Sequence, residues 1–326
     1  WSLIFSKPGI IGYIHNYFVS IVVNHNMSTG WAGYGQVGNK FSWIDGYTYG
    51  SELDQIVSIY IHELGHNLGL WHANAWNPAT STPDDTSGAH VEYGHDFDVM
   101  GSSSKYSYDK IHFNASFKNA LDWLPDSYVI TLSDGDADIP FVNLYAMDQT
   151  QISGRTYAVK LDAGISLGSS SNLDYWIEFR SRFPSNSTLD DGVLIFMNND
   201  THSDEALKLL DMNPSTSSVS DAGLDLSESF TTSDSRWKIT VNSQTGSGAN
   251  SLVNVTISDA RPPSITSHPS DVTTSLETAV TFTVVGTGPS LLYQWYKDGT
   301  LIAGETNSTI TISTFQESDK SSYHVF

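Results

Sequence analysis

Eleven residues, His62-Glu-Leu-Gly-His-Asn-Leu-Gly-Leu-Trp-His72, narrow what this chain can fold into more than any other stretch. Apolar residues at Leu53, Ile56, Val57, Tyr60, Leu64 and Leu68 recur with a helical period. They predict a helix from near Ser51, whose hydroxyl suits an N-cap, with Asp54 three residues on. His62 and His66 are then four apart and project both imidazoles from one face. Leu64 and Leu68 are expected to bury on the opposite side. Gly69 ends the pattern where a left-handed backbone suits glycine, and the chain can turn back to bring His72 to the same point. Three neutral imidazole nitrogens with a fourth position open is the arrangement of a catalytic zinc site rather than a structural one. Glu63, one residue past the first ligand, is placed to act as general base on a water at that position. All fixed positions of the pattern HExxHxxGxxH are filled, and this long form arises by chance far less often than HExxH alone.

Composition removes the competing chemistries. The 326 residues contain no cysteine, which excludes thiolate metal sites, thiol nucleophiles and disulfides. The net charge of −21 leaves no basic surplus to neutralise phosphates, which argues against nucleic acid and anionic membrane surfaces as partners. No apolar run reaches the length of a membrane-spanning helix, so no membrane insertion is expected. The longest apolar stretch, around Phe18 to Val23, is β-branched and reads as a strand. Starting at Trp1, the chain reads as processed or as a fragment.

Three segments are expected. Residues 1–124 hold most of the histidines, the helix, a glycine-punctuated extended stretch from Gly30 to Gly38, and a short second helix over Ala115 to Trp123. With 61 residues before His62, this segment reads as N-terminally incomplete. Residues 125–260 carry alternating runs separated by polar turns, among them Tyr157–Leu161, Tyr175–Phe179, Val193–Phe196, Trp237–Val241 and Val253–Ile257. Such spacing predicts an antiparallel β-sandwich. The proline-rich Ala260-Arg-Pro-Pro-Ser264 then reads as a stiff linker to a strand-like unit over 261–326.

The motif resembles that of the metzincin metalloproteases, in which a methionine-containing turn underlies the metal. Glu92-Tyr-Gly-His-Asp-Phe-Asp-Val-Met-Gly101 supplies a matching turn, with Met100 as its methionine. The order of Trp31-Ala-Gly-Tyr-Gly-Gln-Val-Gly38, the helix, Asp98-Val-Met-Gly101, Ile111-His-Phe-Asn-Ala115 and Leu121-Asp-Trp-Leu124 is most similar to the gametolysin-like branch. The resemblance implies an α+β metzincin-type catalytic domain binding Zn2+ through His62, His66 and His72, with Glu63 catalytic. It also implies that Trp31 to Val37 form an edge strand along which an extended substrate pairs. Some metzincins carry a tyrosine two residues after the methionine; here Ser102 stands there, with Tyr106 and Tyr108 further on. His90, His95 and His112 are weaker candidates for the cleft. The acidic run Asp134-Gly-Asp-Ala-Asp138 reads as a solvated turn in preference to a calcium loop.

Residues 261–326 resemble the disulfide-free immunoglobulin-like domains of large bacterial exported proteins, C-terminally incomplete. Tyr293-Gln-Trp-Tyr-Lys-Asp-Gly299 supplies the core tryptophan Trp295, and Asp319-Lys-Ser-Ser-Tyr323 the tyrosine corner. Val284 and Val325 take the places where cysteines often pair. The expected whole is thus an α+β catalytic domain followed by all-β domains, the β domains serving as spacers. The activity that follows is a secreted zinc endopeptidase acting on extracellular proteins or glycoproteins. Two other classes are weighed: a catalytically inactive, protease-like adhesion or binding protein, and a zinc hydrolase of non-peptide substrates. The retained Glu63 argues against the first.

Overall fold

A computed structural model of the chain describes residues 19–23, 32–45, 53–102, 111–133, 136, 138–182, 192–199, 205–216, 219–288 and 291–326. Trp31, Ser51, Tyr106, Tyr108, His15, His25 and His202 lie outside them, as do Asp134, Gly135 and Ala137 of the acidic run. The fold is mostly β and forms two compact units, one of Trp1–Ser233 with Ile239–Ile257, the other of Asp234–Lys238 with Ser258–Phe326.

The first unit opens with a three-stranded sheet of β1 (Val19–Val23), β2 (Gly33–Gly35) and β3 (Phe41–Asp45). Its order is β1-β3-β2, with β1 parallel and β2 antiparallel to β3, so β2 is an edge strand. Helix α1 (Leu53–Asn67) follows. Gly69, at φ +101°, ends it. The amides of Gly69 and Leu70 return to the carbonyls of His66 and Gly65 at 2.9 and 3.0 Å, the double hydrogen bond of a Schellman turn. Leu64 and Leu68 are half-buried, not fully buried as their period suggested. The most enclosed side of the helix is instead the one that carries His62, Glu63, Gly65, His66 and Asn67. It meets β2 and the turn at Met100, so burial there follows the site.

Short strands β4 (Asn74–Asn77) and β5 (Ala89–Val91) precede α2 (Ala115–Ala120). The Asn114 side chain caps α2 by accepting from the Phe117 amide at 2.9 Å. The helix stops before the Trp123 expected from sequence because Asp122 adopts φ +58°. Its amide and that of Trp123 return to Asn119 and Lys118 in a second Schellman turn.

The later strands are β6 (Val129–Leu132), β7 (Ile139–Tyr145), β8 (Ala158–Leu167), β9 (Ser170–Glu178), β10 (Leu194–Asn198), β11 (Lys208–Leu210), β12 (Ser229–Thr231), β13 (Trp237–Thr245) and β14 (Leu252–Asp259). Each of the five alternating runs read from the sequence falls on one of these strands, with Tyr157, Phe179 and Val193 just outside. The pairing is not all antiparallel as expected, because β6 runs parallel to β8. Two sheets result, a seven-stranded one ordered β5-β4-β11-β10-β9-β8-β6 and a four-stranded one ordered β12-β13-β14-β7. The rings of Tyr175 on β9 and Phe230 on β12 bring them into contact at 6.2 Å.

The segment boundary expected at residue 124 falls inside this unit. β4 pairs in parallel with β11, Asn74 to Lys208 and Trp76 to Leu210, so strands from both sides of residue 124 share one sheet. One apolar core runs from Leu70, Phe97, Met100 and Phe117 to Trp176, Phe196 and Leu209. Strands as short as β4 and β5 bury little alone, and the pairing of β4 with β11 joins both to the larger sheet.

The second unit holds β15 (Ser264–Ser267), β16 (Val280–Thr283), β17 (Val285–Thr287), β18 (Trp295–Lys297), β19 (Thr300–Leu301), β20 (Thr309–Ile312) and β21 (Tyr323–Val325). Trp295 is fully buried against Val284 and Ile310, with Val325 packed on the same cluster. Its indole donates to the Asn307 carbonyl at 2.9 Å. The Tyr323 hydroxyl donates to the Asp319 carbonyl at 3.3 Å, closing the corner read from the sequence. Removing the indole deletes the centre of a core of few side chains. Trp295→Ala is expected to destabilise this unit by about 3–5 kcal/mol, read as lost hydrogen-exchange protection of the β16 and β20 amides.

Candidate metal centre

The segment around the motif folds so that His62, His66 and His72 converge. Their candidate ligand nitrogens all lie within 4.8 Å of one another. Each ring is fixed through Nδ1: His62 to the Val99 carbonyl at 2.8 Å, His66 to the Leu70 carbonyl at 2.8 Å, His72 to a Glu92 carboxylate oxygen at 3.0 Å. A carbonyl or carboxylate only accepts, so each Nδ1 carries the hydrogen and each Nε2 presents its lone pair. That is the tautomer a metal ligand needs, with the ring orientation set by an outer partner. His62 is held neutral as well. Burial, reinforced by His66 and His72 and opposed by the Val99 carbonyl, pulls its pKa down to about 3.

Glu63 lies beside them, 5% exposed. Burial pushes its carboxyl up to about 7, against the pull of the Gly35 amide. Its Oε2 is buried without a hydrogen bond of ordinary geometry. An enclosed carboxyl of this kind can exchange a proton with a neighbouring group near neutral pH. Strand β2 passes close over it. A Cβ at Gly33 would come 2.3 Å from Glu63 Oε1, and one at Gly35 would come 2.5 Å from the Glu63 carbonyl. Only glycine permits this approach. The Asn67 side-chain amide, donating to the Phe41 carbonyl at 2.8 Å, ties the end of α1 to β3.

Below the ligands lies the turn read from the sequence. Asp98 Oδ1 accepts the Met100 amide at 2.7 Å, and the Met100 carbonyl accepts the amide of Ala73, next to His72, at 2.8 Å. One turn thus supports His62 through Val99 and the His72 strand through Met100. Met100 is fully buried, and a Cβ on Gly65 would meet its sulfur at 2.3 Å. Gly65 therefore lets the methionine pack directly beneath the helix between its two histidines. Gly65→Ala is expected to lower stability by about 1–2 kcal/mol through this overlap. In a Met100→Ala background the same change should cost less, because only the Phe113 ring, at 3.2 Å from the added Cβ, still crowds it and alanine is the better helix former. Urea unfolding of the two single variants and the double variant measures both costs.

The motif residues come together as the sequence required, and the surrounding groups divide. Tyr93, at φ +59° with its amide donating to Asn74 Oδ1 at 3.0 Å, sets its ring 3.9 Å from that of His72 and 5.9 Å from that of His62. It is 40% exposed and puts an aromatic group at the mouth of the site. No local pattern marks it, because it precedes the methionine, whereas the tyrosine of the resembling family follows it. Glu92 and Asn74 were missed also, although Glu92 stands inside the stretch singled out for Met100. His90 lies on β5 opposite Trp76, away from the triad in the ladder.

His95 is not a cleft residue. It is fully buried near Phe97 and Phe196, with neither ring nitrogen hydrogen bonded. Burial, aided by Arg180, holds its pKa well below the ordinary value; His112 falls to about 3 for the same first reason, with Lys118 and Arg180 adding. In the acidic run, Asp136 accepts the Ser133 amide at 2.6 Å, a local turn bond. The depressed pKa values of His62, His95 and His112 make the unfolded chain bind more protons below about pH 6.5. These three outnumber the raised carboxyls of Glu63 and Asp98, at about 7 and about 6, which act the other way. Stability of the metal-free protein is therefore expected to fall as pH drops from 6.5 towards 4. A urea midpoint that moves down across that range bears this out, and a flat midpoint contradicts it.

Residues 262–326 match the immunoglobulin domain family, so the second unit contains an immunoglobulin-like domain. Neither a curated protein nor a solved structure matches the chain. Among the described residues, no helix is long and apolar enough to cross a membrane.

Proposed function

We propose that this chain is a secreted zinc-dependent endopeptidase of the metzincin type, gametolysin-like, acting on extracellular proteins or glycoproteins. The observation that carries the reading is the triad itself: three imidazoles whose ligand nitrogens lie within 4.8 Å of one another, each ring tied at Nδ1, beside a buried glutamate. The donor set fits zinc, being three neutral nitrogens with no thiolate anywhere in the chain. Bound there, the ion would polarise the scissile carbonyl and make water a stronger nucleophile at neutral pH.

The remaining work falls to the protein. Glu63 takes the proton of the attacking water and passes it to the leaving amine. Strand β2 has β3 as its one ladder neighbour among the described residues, so an extended peptide could add along its other side as a further strand. With Gly33 and Gly35 pressed on Glu63, that peptide would lie close to the base. Tyr34, between them, is 60% exposed and available to a substrate. Peptide substrates rather than small esters follow from this strand, because it recognises main chain.

The test compares wild-type protein with Glu63→Ala on a denatured-protein substrate. Wild-type hydrolysis should stop with a chelator and return with zinc. Glu63→Ala should lose about 100- to 10,000-fold in rate while keeping its zinc. Equal rates in the two proteins would sink the mechanism.

A further inference from the structure

The turn beneath the ligands is held from the far side of the core. Arg180 stands two residues past the end of β9 and is 1% exposed. Its Nε donates to Glu178 Oε1 at 2.6 Å, and one terminal nitrogen donates to the Phe97 carbonyl and, at 3.2 Å, to that of His112. The other terminal nitrogen lies 4.0 Å from Asp98 Oδ2. Glu178, fully buried, accepts the Ala115 amide at the start of α2 through Oε2 at 2.6 Å. Asp98 Oδ2 takes the Asn114 backbone and side-chain amides at 2.6 and 2.8 Å. One guanidinium and two carboxylates therefore lock three pieces of chain together: the end of β9, the start of α2, and the Asp98–Gly101 turn.

Burying such charges carries a desolvation penalty that well-packed apolar side chains of the same volume would not. Stability alone is thus a poor reason for them. Geometry is a better one, because the guanidinium presents its donors in a fixed planar fork. The fork grips Phe97 and faces Asp98, the two residues that lead into Val99 and Met100. Val99 holds His62, and Met100 holds the strand that begins beside His72.

We infer that Arg180 and Glu178 are positioning residues for the metal centre, so that the chain beyond residue 125 is a working part of the site and not a spacer. The inference rests on the zinc reading given above. Loss of the fork lets the turn relax, and the outer partner of His62 moves with it. Outer-partner losses typically weaken a metal site by about 10- to 100-fold.

The experiment uses the full chain. Zinc affinity is measured by competition with a chromophoric chelator, and the cobalt-substituted protein gives a visible spectrum that reports ligand geometry. Arg180→Met is expected to bind zinc about 10- to 100-fold more weakly than wild type and to shift the cobalt bands. Arg180→Lys, which keeps the charge but not the fork, should recover only part of the affinity. Val255→Ala, a core truncation on β14, supplies a destabilised control whose zinc affinity and cobalt spectrum should match wild type. If Arg180→Met does not fold, Glu178→Gln is measured in its place, with the same expectation. Wild-type binding combined with unchanged affinity and spectrum in the folded Arg180 or Glu178 variant overturns the inference alone. A wild-type chain that takes up no zinc overturns the zinc reading and this inference with it.

Discussion

An imidazole on a surface helix samples several rotamers, and three of them share one point only if something else holds each ring. In this chain the other ring nitrogen does that work. The Nδ1 hydrogen bonds of His62, His66 and His72 end on three different pieces of structure: the Val99 turn, the Leu70 carbonyl just past the helix, and the Glu92 carboxylate. Each anchor depends on a further feature. Leu70 is in reach because Gly69 closes a Schellman turn, and Val99 because Asp98 and Met100 shape theirs. Glu92 follows β5, which pairs with the β4 strand that begins two residues after His72.

Close approach is the second constraint, and it explains where the glycines stand. Gly33 and Gly35 let β2 press on Glu63, and Gly65 lets the Met100 sulfur sit under the helix. The same crowding removes Glu63 from water, which raises its affinity for a proton. Packing, protonation and placement of this carboxyl are therefore one arrangement seen three ways.

Much of this was legible in the residues themselves. A spacing of four on a helix, a glycine after it and a returning histidine define their own geometry, so His62, His66, His72 and Glu63 could be named without coordinates. Met100 came from a resemblance, and in the structure it is a buried side chain whose sulfur lies against Gly65. In the C-terminal unit Trp295 and Tyr323 were readable because an aromatic core and a corner hydroxyl use local signals. What escaped notice depends on distant pairing. Nothing local to Asn74 announces that β4 lies beside β11, 134 positions on at Lys208, and so the segment boundary at 124 hid a continuous sheet. Arg180 escaped for the same reason. Its partners at Phe97 and Asp98 are far away in sequence, and an arginine at a strand end ordinarily reads as solvated surface. The helix face was misjudged for a different one: the periodicity marks an apolar stripe, while the functional side was buried by glycine contacts that hydrophobicity does not record.

The central claim is that three histidine nitrogens hold one zinc ion. X-ray absorption at the zinc edge of the loaded protein tests it most directly. Three imidazole nitrogens at about 2.0–2.1 Å, completed by oxygen, are expected around the ion, with one imidazole lost in His72→Ala. A shell of oxygen ligands alone, or one left unchanged by His72→Ala, would contradict it.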